Sequence, residues 1–239
     1  MAYESHQYLE MRGLTVWRIA RDRVDAVYRI LSKRKVRATL YLDLGCNDGT
    51  ITERIAEMVK AKEVYGVDID DDVLERAKQR KIRTFKLDLS YDKIPLDDNS
   101  VDLVTAFEVI EHLTNPDHML REAHRVLKPH RQFLLSTPNL ASYVNRLILL
   151  LGYQPYNVEV STEFLAGVPW RAYTFTKPIG HIRPFTLRAL KEVLSYHGFK
   201  IVEVMGAPGV EPKRLGIIDK LFSLRSPLAR RLIVFAIKI

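Results

Sequence analysis

Between residues 39 and 138 the sequence alternates short, almost continuously apolar runs with amphipathic helical patterns, and this alternation constrains the fold most strongly. Runs that are apolar throughout are typical of parallel strands covered on both faces. The order β-α-β-α-β-β-α-β predicts an α/β fold with a doubly wound, mostly parallel, Rossmann-like sheet. The predicted strands are 39–44, 63–69, 83–89, 101–109 and 131–138, and the predicted helices are 50–61, 71–80 and 116–128.

The flanking segments differ from this core. Residues 14–32 have apolar side chains at helical spacing. After Pro138, a helix-like run is followed by an irregular tract rich in Tyr, Phe and Trp, and a long irregular segment of this kind is usually functional. Regular patterns return with a predicted helix at 186–198, a strand at 199–206, a mostly helical stretch at 216–231 and a strand at 232–239.

Composition narrows the class of protein. The 239 residues are 47% hydrophobic and 28% charged, which is ordinary for a globular protein. A single cysteine, Cys46, excludes an internal disulfide. The N-terminus shows no apolar signal region, so we expect a cytoplasmic protein. The net charge of +8 is concentrated at the ends: nine Lys/Arg against four Asp/Glu in residues 1–40, and seven against two in residues 205–239.

The first predicted strand leads into the loop "DLGCNDG", Asp43 to Gly49, where α/β sheets bind nucleotides. No lysine follows Gly49, as a P-loop requires, and a dinucleotide-binding loop would have glycine at position 47. The acids Asp43 and Asp48 would repel a pyrophosphate and favour a cationic ligand. Asn47 suits this turn because asparagine tolerates left-handed backbone conformations better than most residues.

The loop and its downstream motifs resemble the class I S-adenosylmethionine-dependent methyltransferases, in particular the ubiquinone-biosynthesis-type O-methyltransferase branch. The later motifs are "VYGVDID", "LDLS", "FEVIEHL" and "VLKPHRQFLLSTPN". The resemblance implies a seven-stranded sheet whose last strand is antiparallel. It also implies S-adenosylmethionine as the cofactor and S-adenosylhomocysteine as the product.

The resemblance assigns the cofactor contacts. Asp43 would face the positive charges of the methionine part, and Asp68 would accept the two ribose hydroxyls. Asp88 would lie near the adenine amino group, with Ile69 and Leu89 packed on the ring. The implied cofactor-binding residues are Asp43, Gly45, Cys46, Asn47, Gly49, Asp68, Ile69, Asp88, Leu89 and Glu108.

We therefore expect a single methyltransferase domain over residues 1–239. Its parts would be an N-terminal helical segment (1–38), a cofactor-binding half (39–138), an inserted substrate lid (139–183) and a C-terminal helix-strand-helix-strand unit (184–239).

The motif "FEVIEHL" follows the fourth strand, where the active site of this family opens. On a helical turn, Glu108 and Glu111 would share a face, with His112 beside them. Three interpretations stay open: His112 or Glu111 acts as a general base, Glu108, Glu111, His112 and His181 bind a divalent metal, or these residues have only structural roles. We expect catalysis by His112 or Glu111 and no metal requirement.

The acceptor is expected to bind under the predicted lid. Trp170 and Tyr173 would supply apolar or stacking contacts, and His181 and Arg183 would hold an anionic group. These features predict methyl transfer to an oxygen or nitrogen of a small-molecule, saccharide or lipid-linked acceptor.

Other functions remain open at this stage. The alternatives are a metal-dependent RNA 2′-O-methyltransferase and a non-catalytic cofactor-binding subunit. The basic, amphipathic stretch "RLGIIDKLFSLRSPLARR" either contacts a membrane surface peripherally or packs on the sheet.

Overall fold

The computed structural model describes residues 16–169, 177–209 and 215–239. Helices and strands alternate through these residues in the predicted order. The helices are α1 (Val16–Lys33), α2 (Thr50–Val59), α3 (Asp71–Gln79), α4 (Pro116–Val126), α5 (Tyr143–Leu150), α6 (Leu187–Tyr196) and α7 (Gly216–Ser223), with a 3₁₀ helix at Ile110–His112. The strands are β1 (Leu40–Leu44), β2 (Glu63–Asp68), β3 (Arg83–Lys86), β4 (Val101–Phe107), β5 (Leu127–Pro138), β6 (Phe199–Ala207) and β7 (Arg231–Lys238).

The strands form one sheet in the order β3-β2-β1-β4-β5-β7-β6. The first five strands along the chain pair in parallel, whereas β7 pairs antiparallel with both β5 and β6. The predicted doubly wound sheet with an antiparallel last strand is confirmed. Strand order reverses between β1 and β4, and such a switch point is where open α/β sheets bind ligands, beyond the carboxyl ends of the strands.

Both faces of the sheet are buried, which explains the continuous apolar runs of the strands. On one face, Tyr41 of β1 packs with Ile30 of α1 and Ile55 of α2. On the other, Leu42 of β1 belongs to a larger core that includes Met119 of α4. Alternate residues of β1 therefore point to opposite layers.

Several local boundaries differ from the prediction. Helix α2 begins after Gly49, which holds the cap position in a left-handed conformation and offers no side-chain cap. The Asp48 carboxylate instead accepts hydrogen bonds from the Thr50 amide (3.0 Å) and hydroxyl (2.8 Å). The C-terminal helical stretch ends early, at Ser223, and turns continue to Arg230.

Gly66 of β2 has no side chain, which allows Cys46, in the loop between β1 and α2, to pack on the sheet. This close packing generates a stability prediction. A Cβ at Gly66 would lie 2.6 Å from Cys46 Sγ. We expect Gly66→Ala to destabilise the protein by about 1–3 kcal/mol through overpacking. Gly216→Ala is the matched control, because a Cβ there meets no atom of the described residues within 4 Å. Urea unfolding should show a lower free energy of unfolding for Gly66→Ala only. Equal stability of the two variants would contradict this packing.

Candidate active site

The loop between β1 and α2 adopts a tight turn with three left-handed residues. The φ angles are 75° at Gly45, 48° at Asn47 and 76° at Gly49. The expectation that Asn47 replaces a glycine in this conformation is confirmed. A Cβ at Gly45 would lie 2.2 Å from Val109 Cγ2, so the loop lies directly against the segment that follows β4.

The end of β2 fixes the loop backbone. The Gly45 and Cys46 amides both donate to the Val67 carbonyl, at 2.8 and 2.9 Å. The Asn47 amide donates to Asp68 Oδ2 at 2.9 Å. These bonds join the loop of the first predicted cofactor motif to the end of β2, which carries the second motif.

Asp43 lies beneath the loop. Its carboxylate is 3% exposed and accepts hydrogen bonds from the hydroxyls of Thr52 and Thr105, both at 2.5 Å. The Tyr41 hydroxyl shares a further hydrogen bond of 2.7 Å with Thr105. Asp43 therefore supports the loop from inside the protein. Its direct contact with the cofactor stays a prediction.

Asp68 and Ile69 form the next part of the candidate cofactor site. Besides Asn47, the Asp68 carboxylate accepts hydrogen bonds from the amides of Ile69 (2.8 Å) and Asp70 (3.3 Å). Burial raises the pKa of Asp68, while these amides oppose the shift. Ile69 is 58% exposed, although it is a large apolar side chain. An exposed isoleucine beside an oriented carboxylate is suited to contact a nucleoside.

The third motif follows β3. Asp88 Oδ1 accepts a hydrogen bond from the Ser90 amide at 2.8 Å. Leu89 lies in the core and is only 6% exposed, so its predicted contact with adenine remains untested. Cys46 is also buried, and burial raises the pKa of its thiol. The implied cofactor residues thus lie at or just beyond the carboxyl ends of neighbouring strands.

The segment after β4 differs from the predicted helical turn. The 3₁₀ helix begins only at Ile110, and Glu108 has a left-handed φ of 56°. The expectation that Glu108 and Glu111 share a helical face is therefore wrong. Glu108 accepts a hydrogen bond from the Ser136 hydroxyl (2.8 Å) and pairs with Arg231 (3.2 Å). A non-glycine residue in this conformation is strained, and such strain is frequent at functional sites.

Glu111 is a carboxyl group buried in this segment. It is 2% exposed, and its Oε2 accepts a hydrogen bond from the Thr137 hydroxyl at 3.0 Å. Its Oε1 finds no hydrogen-bond partner among the described residues. Burial, followed by the charge of Glu108, raises the pKa of Glu111 to about 8. The group is consequently protonated in most molecules at neutral pH.

Two histidines lie beside Glu111. The Nε2 atoms of His112 and His181 are each 4.0 Å from Glu111 Oε1, and the ring centres are 4.9 Å apart. His112 Nδ1 is 3.0 Å from the Gly180 carbonyl. Because a carbonyl only accepts, this nitrogen carries the proton and leaves Nε2 with a free lone pair.

The two imidazoles differ in accessibility. The His112 side chain is 34% exposed, whereas the His181 side chain is 9% exposed. Burial lowers the pKa of His112. Burial, and then the neighbouring His112, lowers the pKa of His181 to about 3. Both rings are therefore neutral at pH 7, and His112 is the most accessible of the three clustered groups.

The cluster combines one carboxylate and two imidazoles, which are ligand types that divalent metal ions accept. Glu111, His112 and His181 offer ligand atoms that all lie within 4.8 Å of one another, and the described residues place Glu108 outside the group. Glu111 Oε1 and His181 Nδ1 lack hydrogen-bond partners there. Tetrahedral ligands of Zn²⁺ lie about 3.4 Å apart, so pairs at 4.0 Å would have to approach by roughly half an ångström. The full set spans up to 4.8 Å, so a divalent ion bound by all three residues would require their side chains to move inward.

The segment before α6 is held beside this cluster by polar contacts. The Glu159 carboxylate accepts hydrogen bonds from the amides of residues 179–181, at 2.7–3.0 Å. The Glu111 carbonyl accepts two more, from Ile182 and Arg183, each at 3.0 Å. Sequence reasoning missed the role of Glu159, since no local pattern marks a carboxylate that binds amides about 20 residues away.

The predicted substrate contacts have mixed outcomes. His181 lies in the cluster. The Arg183 guanidinium donates to the Thr114 carbonyl at 3.0 Å. Trp170 and Tyr173 lie outside the described residues.

Comparison with known proteins gives a family match that spans the candidate cofactor site. Residues 42–135 match the family described as "Methyltransferase domain". This stretch includes every implied cofactor residue and the motif with Glu111 and His112. This stretch is therefore similar to S-adenosylmethionine-dependent methyltransferases, a class of enzymes whose cofactor is S-adenosylmethionine.

Individual relatives match over part of their length. A probable S-adenosylmethionine-dependent methyltransferase of Mycolicibacterium smegmatis is 35% identical over 121 residues, which cover 51% of this chain and 46% of the relative. A mitochondrial ubiquinone biosynthesis O-methyltransferase of Candida albicans is 36% identical over 104 residues, 41% of this chain and 32% of the relative. The chain thus matches less than half the length of these relatives.

Solved structures match over nearly the whole chain. A S-adenosylmethionine-dependent methyltransferase from Clostridium acetobutylicum superposes with a TM-score of 0.64, covering 99% of this chain and 96% of the other. The sequence identity is 15%, so this similarity establishes the fold alone.

The raised pKa of Glu111 generates a prediction about stability. Between about pH 4.5 and pH 8 the folded protein holds a proton that the unfolded chain releases, so stability falls as pH rises through this window. The side chain of the Glu111→Gln variant cannot ionise, and its amide oxygen can still accept a hydrogen bond from Thr137. We expect it to be more stable than the wild type at pH 8 by roughly 3–5 kcal/mol, with little gain at pH 4.5.

Glu122→Gln provides a control of opposite sign. Burial tends to raise the pKa of Glu122, but hydrogen bonds from Arg125 and the Ile94 amide outweigh it and lower the pKa. Its ionised form therefore stabilises the fold, and Glu122→Gln should lose stability at pH 8. Urea unfolding at both pH values measures both effects. A pH-independent change for Glu111→Gln would contradict the account.

Proposed function

We propose that this protein is an enzyme that transfers the methyl group of S-adenosylmethionine to an oxygen of a small-molecule or lipid-linked acceptor. The observation that carries the proposal is the position of His112, a partly exposed, neutral imidazole in the segment that packs on the cofactor loop through Val109 and Gly45. The similarity to an O-methyltransferase of ubiquinone biosynthesis supports an oxygen acceptor.

The reaction requires alignment and one proton acceptor. A bond forms between the acceptor oxygen and the methyl carbon while the sulfur–methyl bond breaks, and S-adenosylhomocysteine leaves. The hydroxyl proton passes to His112 Nε2, because the Gly180 carbonyl holds the proton on Nδ1. The lowered pKa of His112 keeps this lone pair available at neutral pH.

Glu111 serves in this proposal as a positioning residue. It is 2% exposed and protonated in most molecules at neutral pH, so it is poorly placed to remove a proton from an acceptor. Its Oε1 lies 4.0 Å from His112 Nε2. Its backbone carbonyl accepts the Ile182 and Arg183 amides, and so holds the segment whose Gly180 carbonyl orients the His112 ring.

A second candidate mechanism is supported by the unpartnered Glu111 Oε1 and His181 Nδ1. In it, Glu111, His112 and His181 would hold a divalent ion, and the ion would supply Lewis-acid activation of the acceptor hydroxyl. The two mechanisms differ in their response to chelators.

Labelled methyl transfer tests the proposed function. The protein is incubated with methyl-labelled S-adenosylmethionine and a cell extract separated into RNA, lipid and small-molecule fractions. We expect label in the lipid or small-molecule fraction. His112→Gln should lower kcat for that fraction by about 10²–10⁴-fold without weakening cofactor binding. Chelation should leave the wild-type rate unchanged.

The controls separate the alternatives. His118→Gln alters a histidine that binds the Asp92 carbonyl, outside the cluster, and should retain activity. Loss of activity on chelation, restored by a divalent ion, would favour the metal mechanism. Label confined to RNA would overturn the acceptor class. If none of the three fractions accepts label from folded protein that binds the cofactor, the result argues against methyl transfer.

A further inference from the structure

Helices α5 and α7 share a small core. The Tyr143 and Phe222 rings stack with centres 4.2 Å apart, and the Tyr143 hydroxyl donates to Asp219 at 2.7 Å. Val144 and Ile148 complete the buried side of α5. Each helix therefore has an apolar face that packs within the protein.

Both helices also expose apolar side chains on another face. On α7, Ile217, Leu221 and Leu224 are 87%, 64% and 82% exposed, at the spacing of one helical stripe. On α5 and its C-terminal cap, Leu147, Leu150 and Leu151 are 56%, 83% and 67% exposed at the same kind of spacing. Large exposed apolar patches are rare on monomeric proteins and mark interaction sites. We call these six residues the α5–α7 apolar surface.

The charges on these helices are basic. Lys220 and Arg225 are exposed on and just after α7, and Arg146 is exposed on α5. The one acid of α7, Asp219, is 1% exposed and pairs with Arg230 at 3.0 Å. The sequence of α5 contains no acid. The apolar surface thus carries exposed positive charge without exposed carboxylates on either helix.

We propose that the α5–α7 apolar surface docks the protein on a lipid bilayer that contains anionic headgroups. Apolar stripes that insert at the interface beside lysine and arginine are the pattern of helices that lie in a membrane surface. The alternative occupant is a second copy of the chain, which would bring like charges together. In the described parts of the chain, no helix combines the length and apolar character needed to cross a membrane.

The position of the surface links it to the candidate active site. The Asn139 side chain, just beyond β5, donates to the carbonyls of Pro227 and Ala229 at 3.1 and 2.8 Å. Arg231 lies opposite Pro138 in the β5–β7 register, and its guanidinium forms an ion pair with Glu108 in the candidate site. Docking would therefore hold the carboxyl edge of the sheet beside the bilayer. If the proposed methyl transfer holds, an acceptor with a lipid tail is suited to this arrangement.

Vesicle co-sedimentation tests the docking without any need for activity. The full chain is mixed with vesicles of phosphatidylcholine alone or with added phosphatidylglycerol. We expect binding that is stronger to the anionic vesicles. Replacing the α7 stripe (Ile217→Ser, Leu221→Ser, Leu224→Ser) should weaken binding roughly 100-fold or more. Lys220→Gln with Arg225→Gln should cost about 30-fold on anionic vesicles and little on neutral ones.

Two controls make the outcome decisive. Tyr196→Ser removes an apolar side chain that is 85% exposed on α6, away from the surface, and should bind like the wild type. Thermal unfolding confirms that each variant is folded. Wild-type protein that does not sediment with anionic vesicles, or a stripe variant that binds normally, overturns the proposal. A wild-type dimer in light scattering that the stripe variant abolishes would assign the surface to a second copy.

Discussion

The hydrogen bond from the Asn47 amide to the Asp68 carboxylate joins the two halves of the candidate cofactor site. It requires a left-handed Asn47, and the turn that produces this conformation needs the neighbouring glycines. Asp43 supports the same loop from below through two threonine hydroxyls. The contacts that hold the loop come from the protein itself, which limits the entropy lost on ligand binding. Gly45 also packs closely on Val109, so the loop supports the segment after β4.

A second constraint is electrostatic and lies in that segment. Burial of Glu111 makes its ionisation costly, and burial of His112 keeps the imidazole neutral. The same residues receive the chain that returns from the predicted lid, because the Glu111 carbonyl and the His112 ring bind residues 180–183. The two residues of the proposed catalytic site, His112 and Glu111, therefore also position the segment that covers it. This arrangement explains why a buried carboxyl group is tolerated here.

The sheet and the cofactor loop could be predicted because their signals are local. Strands buried on both faces are continuous apolar runs, and a glycine-bounded turn needs only a few residues. The helix after β4 was mispredicted because spacing alone does not show that Glu108 leaves helical conformation. The pairing of Glu108 with Arg231 and the Glu159 contacts join residues distant in sequence, so they follow from topology rather than from any motif. The exposure of the α7 stripe likewise depends on which face the fold leaves uncovered.

Calorimetric titration with S-adenosylhomocysteine tests the central claim most directly. The wild type should bind one equivalent with micromolar or tighter affinity, and Asp68→Ala should weaken binding at least about tenfold through loss of a charge-assisted contact. Asp97→Ala, at an exposed acid outside the site, should leave the affinity unchanged. Absence of binding by folded wild-type protein, or an unchanged affinity of Asp68→Ala, would contradict the assignment of the loop and the β2 end as the cofactor site.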